Sequence, residues 1–320
     1  MVFPPTLAPG SHELRLSGAG LELAATCHGD CHAPAVLFAH GFGQTRRAWS
    51  ASAGRVAQRG YRALAYDARG HGGSDRNPPD LAYAAQQFID DLIVVAGELP
   101  QPPVLVAASM GGLFGLAAEA RWPGLFRAMV LVDITPRWEA AGMQRILGFI
   151  SAFPEGFASL DEAADAIAAY LPGRARKSEA ALREVLRQGA DGRWQWHWDR
   201  RLVDELARDG ERHQDELSAA ARAVRCPLLL LSGGRSDLVS DATIGHFLEL
   251  APHARLFVNT MTNDIASGKP MRLSAHYTDQ RALRDPAAVW GGLRKHGVSM
   301  IQTDEPLALQ RYLHGADTPR

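Results

Sequence analysis

The sequence predicts an α/β protein with a doubly wound, mostly parallel sheet, a helical insertion and an atypical carboxyl-terminal tail. Short apolar runs such as 104–108 and 128–132 alternate with helical stretches, which is typical of parallel strands covered by helices. Residues 134–224 have a helical, alanine-rich pattern with no clear strand. In the tail that follows the strand at 254–259, one more strand is predicted between two helical stretches.

The elements before residue 134 and after residue 224 are predicted to form the sheet. Residues 11–30 alternate polar and apolar positions, as in an antiparallel hairpin. Ala35–Ala39 is continuously apolar, which is typical of a strand buried on both faces. Further strands are predicted at 61–66, 104–108, 128–132, 226–232 and 254–259, with helices at 49–59, 81–99 and 242–251.

These patterns divide the chain into a core (1–133 and 225–259), a helical lid (134–224) and a tail (260–320). Within the lid, the aromatic run 194–198 either packs against the core or forms an apolar wall of the substrate pocket. In the tail, helices are predicted at 289–295 and 307–313, with a short strand at 299–302. The tail would then supply the last strand and the closing helix of the sheet.

Composition and charge limit the classes of partner. The 320 residues are 46% hydrophobic and 22% charged, with a net charge of -1 from 34 basic and 35 acidic residues. These values exclude a largely disordered chain and give no basic footprint for nucleic acid or an anionic membrane. We therefore expect a small-molecule substrate or ligand as the partner. The oligomeric state is not readable from the sequence.

The sequence favours a cytoplasmic location and neither a metal nor a cofactor. No apolar run is long enough to span a bilayer, and the amino terminus lacks signal-peptide features. Cys27, Cys31 and Cys226 are few and odd in number, which suits a reducing compartment. The cluster Cys27-His28-Gly29-Asp30-Cys31-His32 does not have the spacing of a structural zinc site.

The most informative stretch is Val104-Leu105-Val106-Ala107-Ala108-Ser109-Met110-Gly111-Gly112. It predicts a buried strand that turns sharply at Ser109 and enters a helix, with small residues at 107 and 111 that allow close strand–helix packing. This arrangement is a nucleophile elbow, in which a strained turn lifts the serine hydroxyl above the sheet edge. An ordinary strand–turn–helix with an incidental serine is the alternative.

Two further motifs are expected at the same sheet edge, where parallel strands end. His40-Gly41-Phe42-Gly43 follows the strand 35–39, so the backbone N–H groups of Phe42 and Met110 are candidates for an oxyanion hole. Asp237 follows the strand 226–232 and is the candidate for orienting a histidine. His40, Gly41, Trp196 and Trp198 are the candidate residues of the substrate pocket.

Residues 11–258 resemble the α/β-hydrolase superfamily, particularly lidded esterases and cofactor-free haloperoxidase-like members. The resemblance rests on His40–Gly43, Asp67–Asp75, the Ser109 elbow and Gly233–Asp237. It implies a serine nucleophile and no cofactor, and a serine at the elbow argues against the branches that use aspartate there.

The catalytic histidine departs from the family pattern. The loop after the last core strand would carry it, but Asn263 occupies the expected position. An amide does not accept the serine proton at neutral pH, so catalysis is impaired unless another group replaces it. His276, further along the same connection, is the replacement that we nominate, and an exposed loop histidine without a catalytic role is the alternative.

The tail resembles the carboxyl end of bacterial glycerophosphodiester phosphodiesterases, chiefly at Ile301-Gln302-Thr303-Asp304-Glu305-Pro306. A fusion near 254–259 would explain the lost histidine. The leading hypothesis is a serine hydrolase of carboxylic esters or related small acyl compounds. A catalytically dead relic that binds small apolar ligands is the first alternative. A phosphodiesterase activity related to the tail is the second.

Overall fold

A computed structural model describes residues 10–171, 175–203, 213–233, 236–259, 278–295, 298–302 and 306–316. The described strands are β1 (Ser11–Ser17), β2 (Glu22–His28), β3 (Ala35–Ala39), β4 (Arg62–Tyr66), β5 (Val104–Ala108), β6 (Ala128–Val132), β7 (Leu186–Gln188), β8 (Trp194–Trp196), β9 (Leu228–Leu231), β10 (Arg255–Asn259) and β11 (Val298–Gln302).

Nine of the described strands form one sheet in the order β1-β2-β4-β3-β5-β6-β9-β10-β11. The pairs β1–β2 and β2–β4 are antiparallel, whereas the pairs from β4–β3 to β10–β11 are parallel. Short apolar strands such as Leu228–Leu231 suit this position, because both sheet faces are covered. The predicted fold class is confirmed.

Helices cover the sheet, and several of the described helices lie between β6 and β9. The described α-helices are α1 (Ser50–Gln58), α2 (Ala85–Gly97), α3 (Met110–Arg121), α4 (Ala140–Ser151), α5 (Leu160–Tyr170), α6 (Glu179–Val185), α7 (His213–Ala223), α8 (Asp241–Leu250), α9 (Asp279–Arg284), α10 (Gly292–Lys295) and α11 (Pro306–Ala316). None of the helices in these described ranges is both long and apolar enough to span a membrane.

The segment between β6 and β9 contains a feature that the sequence pattern did not predict. β7 and β8 pair antiparallel, with Leu186 opposite Trp196, so the expectation of no strand in 134–224 is wrong. Each strand has three residues, too few for an alternating pattern to stand out from the surrounding helices. The division into core, lid and tail remains a prediction.

The tail continues the sheet but has its own small core. β11 pairs parallel with β10, and a π-helical turn over Ala287–Gly291 leads into α10. Trp290 is almost fully buried with Ala282, Val289 and Leu309, in a cluster separate from the main core. The expected strand and both expected helices are present, whereas the resemblance to phosphodiesterases remains a prediction.

Candidate functional site

Ser109 lies on a strained turn between β5 and α3. Its φ is +45°, which is unusual for a residue with a side chain and costs on the order of 1–3 kcal/mol. The turn is held from both sides, because the Ser109 amide donates to the Val132 carbonyl at 3.3 Å and the Ser109 carbonyl accepts from Gly112 at 2.9 Å. The serine side chain is half-buried and lines a cavity.

Two glycines allow the chain to pass close to this turn. A Cβ on Gly111 would lie 2.8 Å from the Ala39 Cβ and 2.9 Å from the carbonyl oxygens of Ala39 and His40. A Cβ on Gly41 would lie 3.2 Å from the Ser109 Cβ. The segment after β3 therefore packs directly on the elbow, and it does so because neither position carries a side chain.

The two residues whose backbone amides are the candidate oxyanion donors line the same cavity as Ser109. Phe42 and Met110 line the cavity together with Ser109. Among the described residues, neither of these two backbone N–H groups donates a hydrogen bond to a backbone carbonyl in a turn, a loop or a helix cap. Met110 is the first residue of α3, so its N–H is one of the helix-end donors that have no partner inside the helix.

A group of buried imidazoles holds the loop after β3 in place. The His40 ring lies 5.1 Å from the His71 ring, which lies 5.9 Å from the His197 ring. His40 Nε2 accepts from the Ala68 amide at 2.9 Å, and His40 Nδ1 is 2.8 Å from the Gly41 carbonyl. His71 Nε2 accepts from Gly43 at 3.3 Å, while its Nδ1 is 3.1 Å from the Arg69 carbonyl.

His197 brings the β6–β9 segment into this network. Its Nδ1 accepts from the Gly72 amide at 2.8 Å, and its Nε2 is 3.2 Å from the Gly43 carbonyl, to which it donates. Burial lowers the pKa of His197 to about 4, and burial likewise lowers the pKa of His40 and holds that of His71 well below its usual value. The three rings are therefore neutral at pH 7, and each uses both nitrogens in hydrogen bonds.

Asp67 organises the neighbouring loop 67–75. Its carboxylate is buried, pairs with the Arg46 guanidinium and accepts from the Arg46 amide at 2.6 Å and the Gly73 amide at 2.8 Å. Gly72 passes so close to this carboxylate that a Cβ there would overlap it. These contacts fix the loop and with it His71, whose Nε2 accepts from Gly43 in the segment after β3.

The cavity at Ser109 has a volume of about 400 Å³ and is predominantly apolar. Its described lining includes Phe42, Ser109 and Met110, but not His40, Gly41, Trp196 or Trp198. Trp198 instead packs on Phe42 at 5.4 Å and on Gly43, and Trp196 stacks on Trp198 at 4.6 Å. The two tryptophans thus lie behind the described wall, against the loop that carries the candidate oxyanion donor.

Asp237 lies beside the cavity, next to the lining residue Leu238. Its side chain is 43% exposed and forms an ion pair with Arg145 of α4. Its carbonyl packs so closely on α4 that a Cβ at Gly142 would overlap it. In the described chain, the carboxylate is therefore engaged by an arginine rather than by a histidine.

Asp133, which sequence reasoning missed, is a second candidate for the orienting carboxylate. It directly follows β6, has a φ of +53° and accepts from the Gly233 amide at 3.0 Å. It is adjacent in sequence to Val132, whose carbonyl binds the Ser109 amide. The available signal was an acidic residue just after a buried parallel strand, the same kind of signal that singled out Asp237.

Asn263 and His276 lie outside the described residues. His213, at the start of α7, lines the cavity, with its Nδ1 3.0 Å from the Glu216 carboxylate.

Asp30, Cys31 and His32 form an exposed group on the turn after β2, with potential ligand atoms within 4.8 Å of one another. Because this turn leads into the start of β3, it lies at the opposite sheet edge from Ser109.

Comparison with known proteins shows to which protein family this fold and site belong. The model of the α/β hydrolase family matches residues 36–309. The chain belongs to this family.

Relatives within the family carry several hydrolase names. The chain is 31% identical over 224 residues to 2-(acetamidomethylene)succinate hydrolase of Mesorhizobium japonicum, covering 68% of this chain and 77% of the relative. It is 31% identical over 238 residues to the mouse sn-1-specific diacylglycerol lipase, covering 71% and 74%. The solved structure of a Mycobacterium tuberculosis esterase aligns with a TM-score of 0.59 at 28% identity, covering 78% of this chain and 83% of the esterase.

Proposed function

We propose that this α/β hydrolase is a serine hydrolase that cleaves carboxylic esters or related small acyl compounds. The observation that carries the proposal is the strained Ser109 turn in the wall of an apolar cavity whose lining also includes Phe42 and Met110. A nucleophile elbow requires this strain, because the turn presents the hydroxyl to a bound acyl group. The hydrolase and esterase names of the relatives agree with it.

In the proposed reaction, Ser109 Oγ attacks the carbonyl carbon of the ester, and the carbonyl oxygen becomes an oxyanion. The backbone N–H groups of Phe42 and Met110 stabilise this charge, a contribution worth roughly 3–4 kcal/mol per donor in a well-studied serine hydrolase. The tetrahedral intermediate then expels the alcohol, which takes up the proton, and water hydrolyses the acyl-enzyme.

The proton of Ser109 requires an acceptor. His40, His71 and His197 do not suit this role, because both nitrogens of each ring are already hydrogen-bonded. We therefore assign the acceptor to His276, on the sequence argument alone. Its orienting carboxylate is Asp133 or Asp237.

The test is acylation of Ser109 together with ester turnover. A fluorophosphonate probe should add its mass at Ser109, and Ser109→Ala should lose the label and lower kcat by three or more orders of magnitude. His276→Ala should produce a comparable loss, whereas His213→Ala, the control at the cavity wall, should not.

A catalytically dead, ligand-binding relic is the second candidate function. The pairing of Asp237 with Arg145 favours it, because a triad acid would face a histidine. It predicts no probe label at Ser109 and the same ester turnover before and after Ser109→Ala. Labelled protein with serine-dependent turnover would contradict it.

A further inference from the structure

The cavity continues away from Ser109 along one face of α3. Met110, Leu113, Phe114 and Ala117 all line it, and their spacing is that of a single helix face. At a rise of about 1.5 Å per residue, Ala117 lies about 12 Å from Ser109 along the axis of α3. The elbow is therefore one end of an elongated apolar wall.

A second part of the cavity wall is an apolar face of α4. Met143, Ile146, Leu147 and Ile150 line the cavity at helical spacing, and all four are only half-buried. Met143, Ile146 and Ile150 pack partly against the main core, as an apolar stripe of this kind normally does. The remaining surface of these side chains borders a cavity of about 400 Å³, which lies in the range of small-molecule sites.

The described wall contains no lysine or arginine, and nearby arginines have acidic partners. Arg145 of α4 pairs with Asp237, and Arg137 pairs with Asp215 at 2.9 Å. The one carboxylate in the described wall is Glu216, which is exposed and lies 3.0 Å from His213 Nδ1. A bound anion would thus lose its hydration with no lysine or arginine in the described wall to compensate it.

On the basis of the proposed esterase function, we propose that the site takes esters of uncharged, extended acyl chains of medium length and rejects acyl groups that carry a second carboxylate. The acyl chain lies between α3 and α4, with its carbonyl at Ser109 and its far end at Ala117. The name of the Mesorhizobium relative describes a substrate derived from succinate, which is a dicarboxylate. The site proposed here would instead reject a substrate that carries a second carboxylate.

The first test compares kcat/KM for p-nitrophenyl esters of matched length and different charge. From acetate through butyrate and hexanoate, kcat/KM should rise about fourfold per added methylene, the expected gain for burying one CH₂. The adipate monoester, which has the hexanoate chain with a terminal carboxylate, should be about a hundredfold slower than hexanoate or more. Equal rates, or faster cleavage of the adipate monoester, would overturn the proposal.

The second test shortens the cavity at its far end. Ala117→Leu should lower kcat/KM for octanoate about tenfold or more relative to that for acetate, because the added side chain occupies space that only the longer acyl chain reaches. Ala120→Leu is the matched control on the same helix, since Ala120 is also half-buried but does not line the cavity. A uniform loss on both esters, or the same loss in the control, would contradict the assigned end of the site.

A third measurement separates this inference from the proposed function. If the probe does not label Ser109 and no ester is hydrolysed, the proposed function fails. Calorimetric titration of the Ser109→Ala protein with octanamide and with adipate then tests the cavity by itself. Tighter binding of octanamide would support the inferred ligand class, and tighter binding of adipate, or no binding of octanamide, would overturn it.

Discussion

At the residue scale, the imidazoles beside the elbow show how burial decides the role of a histidine. The sequence singled out His40 for the substrate pocket, and the His71 ring lies 5.1 Å from the His40 ring. In the structure both rings are buried, and each one connects the segment after β3 to the loop 67–75. Their nitrogens fix backbone geometry, so they hold the loop that would carry the oxyanion donor Phe42.

His197 gives the residue-scale prediction, a loss of stability in mild acid. Its folded-state pKa of about 4 lies below the ordinary histidine value of 6.5, so the unfolded chain binds the proton more readily. The contribution of neutral His197 to the free energy of unfolding is fully present above about pH 6.5. This contribution, roughly 3 kcal/mol, is lost as the pH falls towards 4. Burial of His40 and His71 acts in the same direction.

Urea unfolding between pH 7 and pH 4 measures this loss. His197→Gln should reduce the slope of the free energy of unfolding against pH, because the glutamine does not titrate. His253→Gln, on an exposed turn, is the control and should retain the full slope. An unchanged slope in His197→Gln would show that this ring does not carry the effect.

At the element scale, the ends of β6 and β9 offer alternative carboxylates. Asp133 follows β6, accepts from the Gly233 amide and is next in sequence to Val132, whose carbonyl accepts from the Ser109 amide. Asp237 follows β9 and pairs with Arg145 of α4. A carboxylate already paired with a guanidinium is less available to stabilise an imidazolium. This contrast favours Asp133 as the orienting acid.

We therefore expect Asp133→Asn to lower kcat about a hundredfold or more, and Asp237→Asn to lower it about tenfold or less. Steady-state kinetics on hexanoate ester, with the far-UV circular dichroism spectrum as a check of folding, measures both effects. The opposite order of the two losses would assign the acid to Asp237, as the sequence first indicated.

At the scale of the whole molecule, the tail extends the sheet through β10–β11 and packs around its own cluster. Trp290 is 1% exposed within that cluster. Trp290→Ala should therefore cost about 3–5 kcal/mol in the free energy of unfolding the tail. Because the main core lies in a separate cluster, the amides of β5 and β6 should stay protected while those of α9 and β11 exchange faster.

Hydrogen exchange resolved by mass spectrometry distinguishes this outcome from global loosening. The control is Trp122→Ala, because Trp122 is 61% exposed and its removal leaves no buried cavity. Equal acceleration of exchange in all sheet strands would show that tail and core unfold as one unit.

The sequence by itself determined the parallel sheet, the strand–turn–helix at Ser109 and the strand and helices of the tail. These features arise from local periodicity, apolar runs and small residues at tight turns, which neighbouring positions specify directly. It did not reveal the β7–β8 hairpin, the imidazole network or the place of Asp133. Only the tertiary structure decided these, because hydrogen bonds such as that between Gly72 and His197 join residues 125 positions apart in the chain, and no local pattern records which distant groups folding brings into contact.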